Sequence, residues 1–210
     1  ARSVFETSAR CLEQIPEQHR STNDVGCLFA NAYGQCDTTV KMLQTLAQAE
    51  PTSPAAFSLS VHNAIAGQFS IAHMLTGASA TMAPGRDGLG GVFLEAAGLL
   101  EEQRCKYLLL CCFEAPIPDT LKPYDVNPPT PMAAAFLLRQ PPAGQPLLNK
   151  QQDAGITLDM QRSIEQPVLY GSPFWRQVLE FAVHVDDCRR GEADKFTLSS
   201  GGITYAWQPS

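Results

Sequence analysis

Apolar residues follow two patterns along this chain, and these patterns predict its strands and helices. Uninterrupted apolar runs bounded by polar turns indicate buried strands, whereas apolar residues spaced three or four apart indicate helices with one inward face. The apolar runs predict strands over residues 25–32, 107–113 and 132–139, and residues 78–83 are a short strand candidate. The spaced pattern predicts helices over residues 3–15, 37–49, 64–75, 89–100 and from 174 to a stop at 191. Strands that alternate with helices indicate an α/β fold with one layered core.

Particular residues predict where some of these elements begin, end and face. Asp37 and Asn63 each precede or open a periodic segment, so we expect them to act as helix N-caps. Gly77 is expected to end the predicted helix over residues 64–75, in the left-handed conformation that glycine adopts without steric cost. In the predicted helix over residues 37–49, we expect Val40, Leu43 and Ala47 to point inward.

The remaining segments are predicted from their turn residues and polar composition. Residues 57–61 are expected to be extended and 115–131 to be irregular, and 140–166 is a second polar, proline-containing stretch. Residues 197–198 and 203–207, joined through two serines and two glycines, predict a closing hairpin. Residues 132–139 are expected to form a buried strand like 107–113.

Composition excludes several classes of protein. The chain has 210 residues, of which 44% are hydrophobic and 17% charged, so it is neither disordered nor of low complexity. Its net charge of −6 argues against binding to nucleic acid or to an anionic membrane surface. No run approaches the 18 apolar residues of a membrane span, and no apolar signal segment is visible at the start. These features favour a single domain over residues 1–210 and a cytoplasmic location.

Most motifs that could carry chemistry are incomplete. The seven cysteines are odd in number and contain no C-x-x-C spacing, and the four histidines lack metal-ligand spacing, so we expect neither disulfides nor a metal. Gly88-Leu89-Gly90-Gly91 opens a helix, but it lacks the glycine spacing and the lysine of nucleotide-binding loops. No G-x-S-x-G turn is present. No cofactor is therefore expected.

One segment is more informative. Residues 53–67 read SPAAFSLSVHNAIAG, and after them come Ser70-Ile71, Leu75-Thr76-Gly77, Ser79, Thr81 and Glu95-Ala96 at fixed spacings. In this order the segment 53–114 resembles the N-terminal half of β-ketoacyl-acyl carrier protein synthases, and residues 25–139 resemble it more loosely. The run 53–67 is most similar to the short, chain-length-factor type of subunit found in aryl polyene clusters. The resemblance implies half of a thiolase-like fold, with a mixed β-sheet covered by helices. The C-terminal helix and hairpin in 167–210 are predicted from the apolar and turn pattern alone.

The chain departs from the catalytic members of this family at the position of the nucleophile. In the gapless register Arg86 stands where the family has its catalytic cysteine, and arginine cannot form an acyl thioester. The family's two histidines and lysine lie in a C-terminal half that has no counterpart among these residues. The resemblance therefore implies a subunit without catalytic residues. Arg86 is either a surface residue on a turn or a charged side chain that faces a partner, with Asp87 as its nearest carboxylate.

The resemblance also implies a partner. In the family, the strand before the nucleophile turn pairs across a two-fold axis, and each subunit lines part of the other's acyl tunnel. We therefore expect a heterodimer with a β-ketoacyl-ACP synthase. The synthase subunit is expected to bind acyl carrier protein, and this chain is expected to interact with the carrier only indirectly, through the synthase. The expected interface residues are Ala80, Thr81, Met82, Ala83 and Pro84. The expected tunnel or loop positions are His62, Asn63, Met82, Arg86 and Asp87, although local turn bonding is the favoured role of His62 and Asn63.

A second hypothesis comes from a different class. The same scaffold could be a standalone acyltransferase or thioesterase-like enzyme that uses another nucleophile. Ser58, Ser60 or Cys36 would then act with His62 as the base. A self-sufficient active monomer would favour this hypothesis over the partner subunit.

Overall fold

The apolar run that begins at Tyr107 forms the strand against which most of the chain is packed. The computed structural model describes residues 1–20, 23–85, 88–102, 104–124, 128–139, 156–162, 173–192, 195–200 and 203–209. Four strands form one mixed sheet, and they are β1 (Val25–Ala30), β2 (Ser79–Met82), β3 (Tyr107–Glu114) and β4 (Met132–Arg139). Their order is β2-β1-β3-β4, with β4 antiparallel to β3 and the other pairs parallel. The predicted α/β class with a mixed sheet is confirmed.

The two faces of this sheet bury separate apolar clusters, because successive side chains of a strand point to opposite faces. Leu108, Leu110 and Cys112 of β3 belong to one cluster, and Leu109 and Cys111 belong to the other. Strand β3 is therefore buried on both faces, as its uninterrupted apolar run predicts.

Helices cover both faces of the sheet. In the described part of the chain they are α1 (Arg2–Leu12), α2 (Glu17–Arg20), α3 (Cys36–Ala47), α4 (Pro54–Ser60), α5 (Ala64–Ala72), α6 (Gly88–Glu101) and α7 (Phe174–Arg190). Helices α1 and α5 cover one face, whereas α6, α7 and the C-terminal strand cover the other. Helix α7 ends at Gly191 with a positive φ of 75°, as the sequence predicts. A short 3-10 helix, Asp119–Tyr124, lies within the stretch that we expected to be irregular.

The chain ends in a second sheet of three strands, β5 (Ile156–Arg162), β6 (Phe196–Ser200) and β7 (Ile203–Pro209), in the order β5-β7-β6. The predicted hairpin of β6 and β7 is confirmed. Strand β5 lies in the polar, proline-containing stretch 140–166, where the sequence analysis predicts no strand. The alternation of Ile156, Leu158 and Met160 with polar residues is the strand signal that was missed.

The segment 57–61, predicted to be extended, is mostly helical because it belongs to α4. The Ser53 Oγ accepts a hydrogen bond from the Ala56 N–H at 3.4 Å, and Pro54 occupies the first helical position. Serine before proline is a helix start, because the hydroxyl caps an unpaired N–H and proline already has a helical φ. The prediction failed because the β-propensity of Phe57 and Val61 outweighed this start signal.

Helix α3 forms where it was predicted, but its cap and its buried face differ. Gln35 is the N-cap residue, and Asp37 lies in the first turn, where it pairs with Lys41 at 2.6 Å. Of the residues predicted to point inward, Val40 is half-buried, and Leu43 and Ala47 are exposed. The helix packs against α4 at the surface rather than against the sheet, so its apolar stripe stays in solvent.

Two further expectations were wrong for steric and topological reasons. Helix α5 ends at Ala72, and Met74, not Gly77, adopts the positive φ, at 51°. Gly77 is instead a close-approach glycine, because a Cβ there would lie 2.1 Å from the Val25 carbonyl oxygen. Strand β4 is half-buried along its length rather than buried, since it lies at an edge of the sheet.

Candidate functional site

Strand β2 forms the other edge of the four-stranded sheet. It contains Ser79, Ala80, Thr81 and Met82, and among the described residues only β1 pairs with it. Ala80 and Met82 pack against the cluster beneath α6. Ala83 is exposed and Pro84 is buried just beyond the strand. Three of the five expected interface residues therefore lie in a strand whose outer edge is unpaired in the described part of the chain, and Ala83 and Pro84 follow it directly.

The hydrogen bonds of β2 show which of its backbone groups face outward. The Ala78 and Met82 carbonyl oxygens accept from the Cys27 and Asn31 N–H groups of the β1 side, at 2.8 and 3.2 Å. Because backbone groups alternate sides along a strand, those of Ala80 also face β1, whereas the N–H and C=O of Thr81 face away from it. An edge of this kind is a template for pairing with a strand of another chain.

Apolar side chains lie exposed beside this edge. Helix α5 packs next to β2, and near its C-terminus Ile71 is 81% exposed and Met74 is 74% exposed. Side chains of this size and exposure, on a segment that contacts an edge strand, are typical of an interaction surface.

The N-terminus of α6, which follows the expected nucleophile turn, is closed by a side chain from α7. The Gln177 Oε1 accepts a hydrogen bond from the Leu89 N–H at 2.9 Å, and Gln177 is buried. Gly88 has a positive φ of 54°, and a Cβ there would lie 2.4 Å from the same oxygen. The Tyr205 ring fills the space next to Gly90 in the same way, because a Cβ at Gly90 would lie 2.2 Å from it. Arg86 and Asp87 lie outside the described residues.

His62 makes a longer-range contact than the expected local one, whereas Asn63 takes the expected N-cap position without a side-chain capping bond. The His62 Nε2 donates to the Asn31 carbonyl oxygen at 3.1 Å, which joins two loops rather than closing one turn. Gly34 has a φ of 60°, and a Cβ there would lie 2.8 Å from His62 Cδ2, so the loop after β1 is packed tightly on this ring. Asn63 occupies the N-cap position of α5, but its side chain makes no capping bond, because its backbone (φ −90°, ψ 8°) is not extended.

The groups of the second hypothesis are engaged in structural contacts. The Ser58 Oγ donates to the Pro54 carbonyl at 3.0 Å, and the Ser60 Oγ donates to the Phe57 carbonyl at 2.8 Å. Burial and the neighbouring Asp37 raise the pKa of the Cys36 thiol, which disfavours the reactive thiolate. This geometry lends the second hypothesis no support.

A polar cavity that the sequence analysis missed lies where β1 and β3 end. It has a volume of about 140 Å³ and is lined by Asn31, which follows β1, and by Glu114, which ends β3. Glu114 is 5% exposed and accepts a hydrogen bond from the Ala32 N–H. Asn31 is 1% exposed; its Oδ1 accepts from the Gly34 N–H at 2.6 Å, and its Nδ2 has no hydrogen-bond partner among the described residues.

The carboxyl of Glu114 is electrostatically perturbed by its position. Burial raises its pKa from 4.5 to about 7, and the hydrogen bond from Ala32 offsets part of that increase. Burial also raises the pKa of Cys27 and Cys111 to about 12, so these thiols stay protonated. In the described part of the chain, no three His, Cys, Asp or Glu side chains are arranged to hold a metal ion.

A family model for the N-terminal domain of β-ketoacyl synthases matches residues 1–208. The chain belongs to this family. Among the described residues of this family member, no helix is both long and apolar enough to cross a membrane. A sequence comparison with curated proteins finds no match.

Solved structures show the same fold for this β-ketoacyl synthase domain. One is the ketosynthase ApeO in complex with its chain length factor ApeC from Xenorhabdus doucetiae, at 24% identity and a TM-score of 0.74, covering 99% of this chain and 76% of that one. Another is the ishigamide ketosynthase/chain length factor, at 17% identity and a TM-score of 0.53, covering 83% of this chain and 49% of that one. These similarities confirm the expected half of a thiolase-like, ketoacyl-synthase fold.

Proposed function

We propose that this chain is a non-catalytic, chain-length-factor-like subunit that pairs with a β-ketoacyl-ACP synthase. The free edge of β2 is the observation on which the proposal rests. Its outward backbone groups at Thr81, its small side chains and the exposed Ile71 and Met74 beside it suit an obligate interface. A similar fold occurs in a solved complex of a ketosynthase with its chain length factor.

The closed N-terminus of α6 supports the absence of catalysis. A nucleophilic thiolate gains from the unpaired N–H groups and the dipole at a helix N-terminus. Here the Leu89 N–H is already bonded to Gln177, and by family resemblance Arg86 replaces the cysteine. The subunit would stabilise the synthase and shape its acyl tunnel in aryl-polyene-type biosynthesis in the cytoplasm, with Met82, His62, Asn63, Arg86 and Asp87 as candidate tunnel or loop positions.

The interface is tested with Thr81→Pro. Proline removes an N–H that faces the free edge, whereas the pairing with β1 uses the backbone of Ala80 and Met82. A ladder bond lost from a buried interface costs about 1–3 kcal/mol, so we expect the synthase to co-purify at least fivefold less well. Thr81→Val keeps the N–H and the β-branched shape, and it should retain the synthase.

Circular dichroism and the melting temperature of the variant establish that the sheet remains folded. Retention of the synthase by folded Thr81→Pro at the level of the native chain would contradict β2 as the interface. A change in product length without loss of assembly in Met82→Leu would place Met82 at the tunnel.

Catalytic inactivity is tested separately. The purified chain should form no acyl thioester with any of its seven cysteines, and Arg86→Cys should not restore condensation. A rapidly formed, protectable acyl-cysteine, detected by mass spectrometry, would overturn this part of the proposal.

A further inference from the structure

The sequence that leads into β2 carries no charged side chain. Residues 51–85, called the uncharged segment below, contain no Asp, Glu, Lys or Arg, although 17% of the whole chain is charged. The segment comprises α4, α5 and β2, and α5 contacts both of the other elements. Depletion of charge distinguishes the core of a protein–protein interface from the rest of a protein surface.

The uncharged segment also exposes large apolar side chains. On α4 and directly after it, Phe57 is 61% exposed, and Leu59 and Val61 are exposed as well. Ile71 and Met74 add two more on and after α5. Helix α4 has seven residues and buries none of them, so the rest of the chain provides little packing for a helix this short. A partner that covers α4 would supply that packing.

The edge of β2 is too small to hold a partner by itself. The strand has four residues, whereas a stable interface takes about 20–30 residues from each side. A subunit that pairs with β2 must therefore cover neighbouring elements as well. The uncharged segment, with its two helices in addition to β2, has the length that such an interface requires.

The two faces of the sheet differ in charge beside β2, and this difference gives the direction in which the contact extends. On one face lies α6, above the cluster that Ala80 and Met82 join, and this helix exposes Glu95 and Glu101. On the other face lies α5, which contains no charged residue. Since carboxylates are costly to bury, the face with α5 is the one suited to being covered.

We infer that the subunit that pairs with β2 also covers α5 and α4, through an apolar contact in which the uncharged segment makes no ion pair. The partner surface that fits is itself apolar, because a charged group there would meet no opposite charge within residues 51–85. This inference rests on the proposed pairing of β2 with a synthase. It adds that the helices, and not the strand edge, supply most of the interface.

The test introduces a carboxylate into the full 210-residue chain, co-expressed with the synthase that is used for Thr81→Pro. Phe57→Asp changes α4 and Ile71→Asp changes α5, and aspartate is too short to reach solvent from a covered position. Val183→Asp is the matched control, because Val183 is also 61% exposed but lies on α7, which packs on the other face of the sheet. We expect the first two variants to retain the synthase at least about tenfold less well, and the control to retain it fully.

The outcomes separate this inference from the proposed function. Circular dichroism establishes that each variant is folded, as expected for substitutions at exposed positions. If folded Phe57→Asp and Ile71→Asp retain the synthase as well as Val183→Asp does, the inference is overturned and the proposed pairing stands. If the native chain itself retains no synthase, the proposed function fails and the inference fails with it.

Met74 provides a readout that needs no substitution. Its side chain is 74% exposed, so dilute hydrogen peroxide should convert it to the sulfoxide in the chain alone. In the complex, we expect sulfoxide formation at Met74, measured by mass spectrometry of peptides, to be at least about tenfold slower because the partner excludes the oxidant. Equal rates in the free and the bound chain would show that this end of α5 is uncovered and would refute the inference.

Discussion

Replacement of Glu114 by glutamine should change how stability depends on pH. Burial raises the pKa of this carboxyl from 4.5 to about 7. Between these values the folded chain therefore holds a proton that the unfolded chain has released, and the free energy of unfolding falls as the pH rises. Since one pKa unit corresponds to about 1.4 kcal/mol, the folded chain should be about 3 kcal/mol less stable at pH 8 than at pH 4 through this group alone.

Urea unfolding at several pH values from 4.5 to 8 measures this effect as the difference between the native chain and Glu114→Gln. Two other groups act in the opposite direction: burial lowers the pKa of His184, and the pKa of Asp24 is lowered by its hydrogen bonds to His19 and Lys106. Their contributions are present in both proteins and cancel in the difference. The variant should gain stability relative to the native chain as the pH rises towards 8. Parallel curves over this range would refute the reasoning.

Two further substitutions test close contacts that the fold requires. Gly77→Ala should lower the free energy of unfolding by about 2 kcal/mol or more, since its Cβ would lie 2.1 Å from the Val25 oxygen. Gly98→Ala, whose Cβ would meet no atom within 4 Å, should raise it by up to about 1 kcal/mol. Equal changes for the two variants in urea unfolding would contradict the geometry. Gln177→Met keeps the side-chain length but leaves the Leu89 N–H without its acceptor. The free energy of unfolding should therefore fall by about 1–3 kcal/mol. An unchanged midpoint of urea unfolding would show that this hydrogen bond does not stabilise α6.

The sequence predicts those elements whose signal is local. The uninterrupted run of β3 and the spaced residues of α1, α6 and α7 bury the faces that their patterns imply, because the pattern and the burial arise from the same residues. Helix α4 is not predicted, although Ser53 and Pro54 form a helix start signal. The extended-structure propensities of Phe57 and Val61 outweigh this signal in the sequence pattern. Strand β5 was missed although its apolar residues alternate.

The candidate sites depend on contacts between distant segments, which no local pattern reports. Glu114 and Ala32 are 82 residues apart, and they meet only because β1 and β3 are neighbours in the sheet. Gln177 reaches α6 across 88 residues through the packing of α7. Both β1 and β3 are predicted correctly from their runs, but the order of strands in the sheet is not, so the cavity could not be predicted.

The two edges of the main sheet differ in how well they are protected, and this difference bears on which one pairs. Exposed edges are usually blocked by charged residues, by proline or by a covering element. Strand β4 ends in Arg139 and is packed by α1, whereas β2 contains no charged residue and no proline. An edge of four residues without a charge or a proline, and with no further strand paired to it among the described residues, would favour aggregation in an isolated chain, as would the exposed Ile71 and Met74 near the C-terminus of α5. Pairing with a partner strand removes that liability, and this supports β2, rather than β4, as the surface that a synthase subunit would cover.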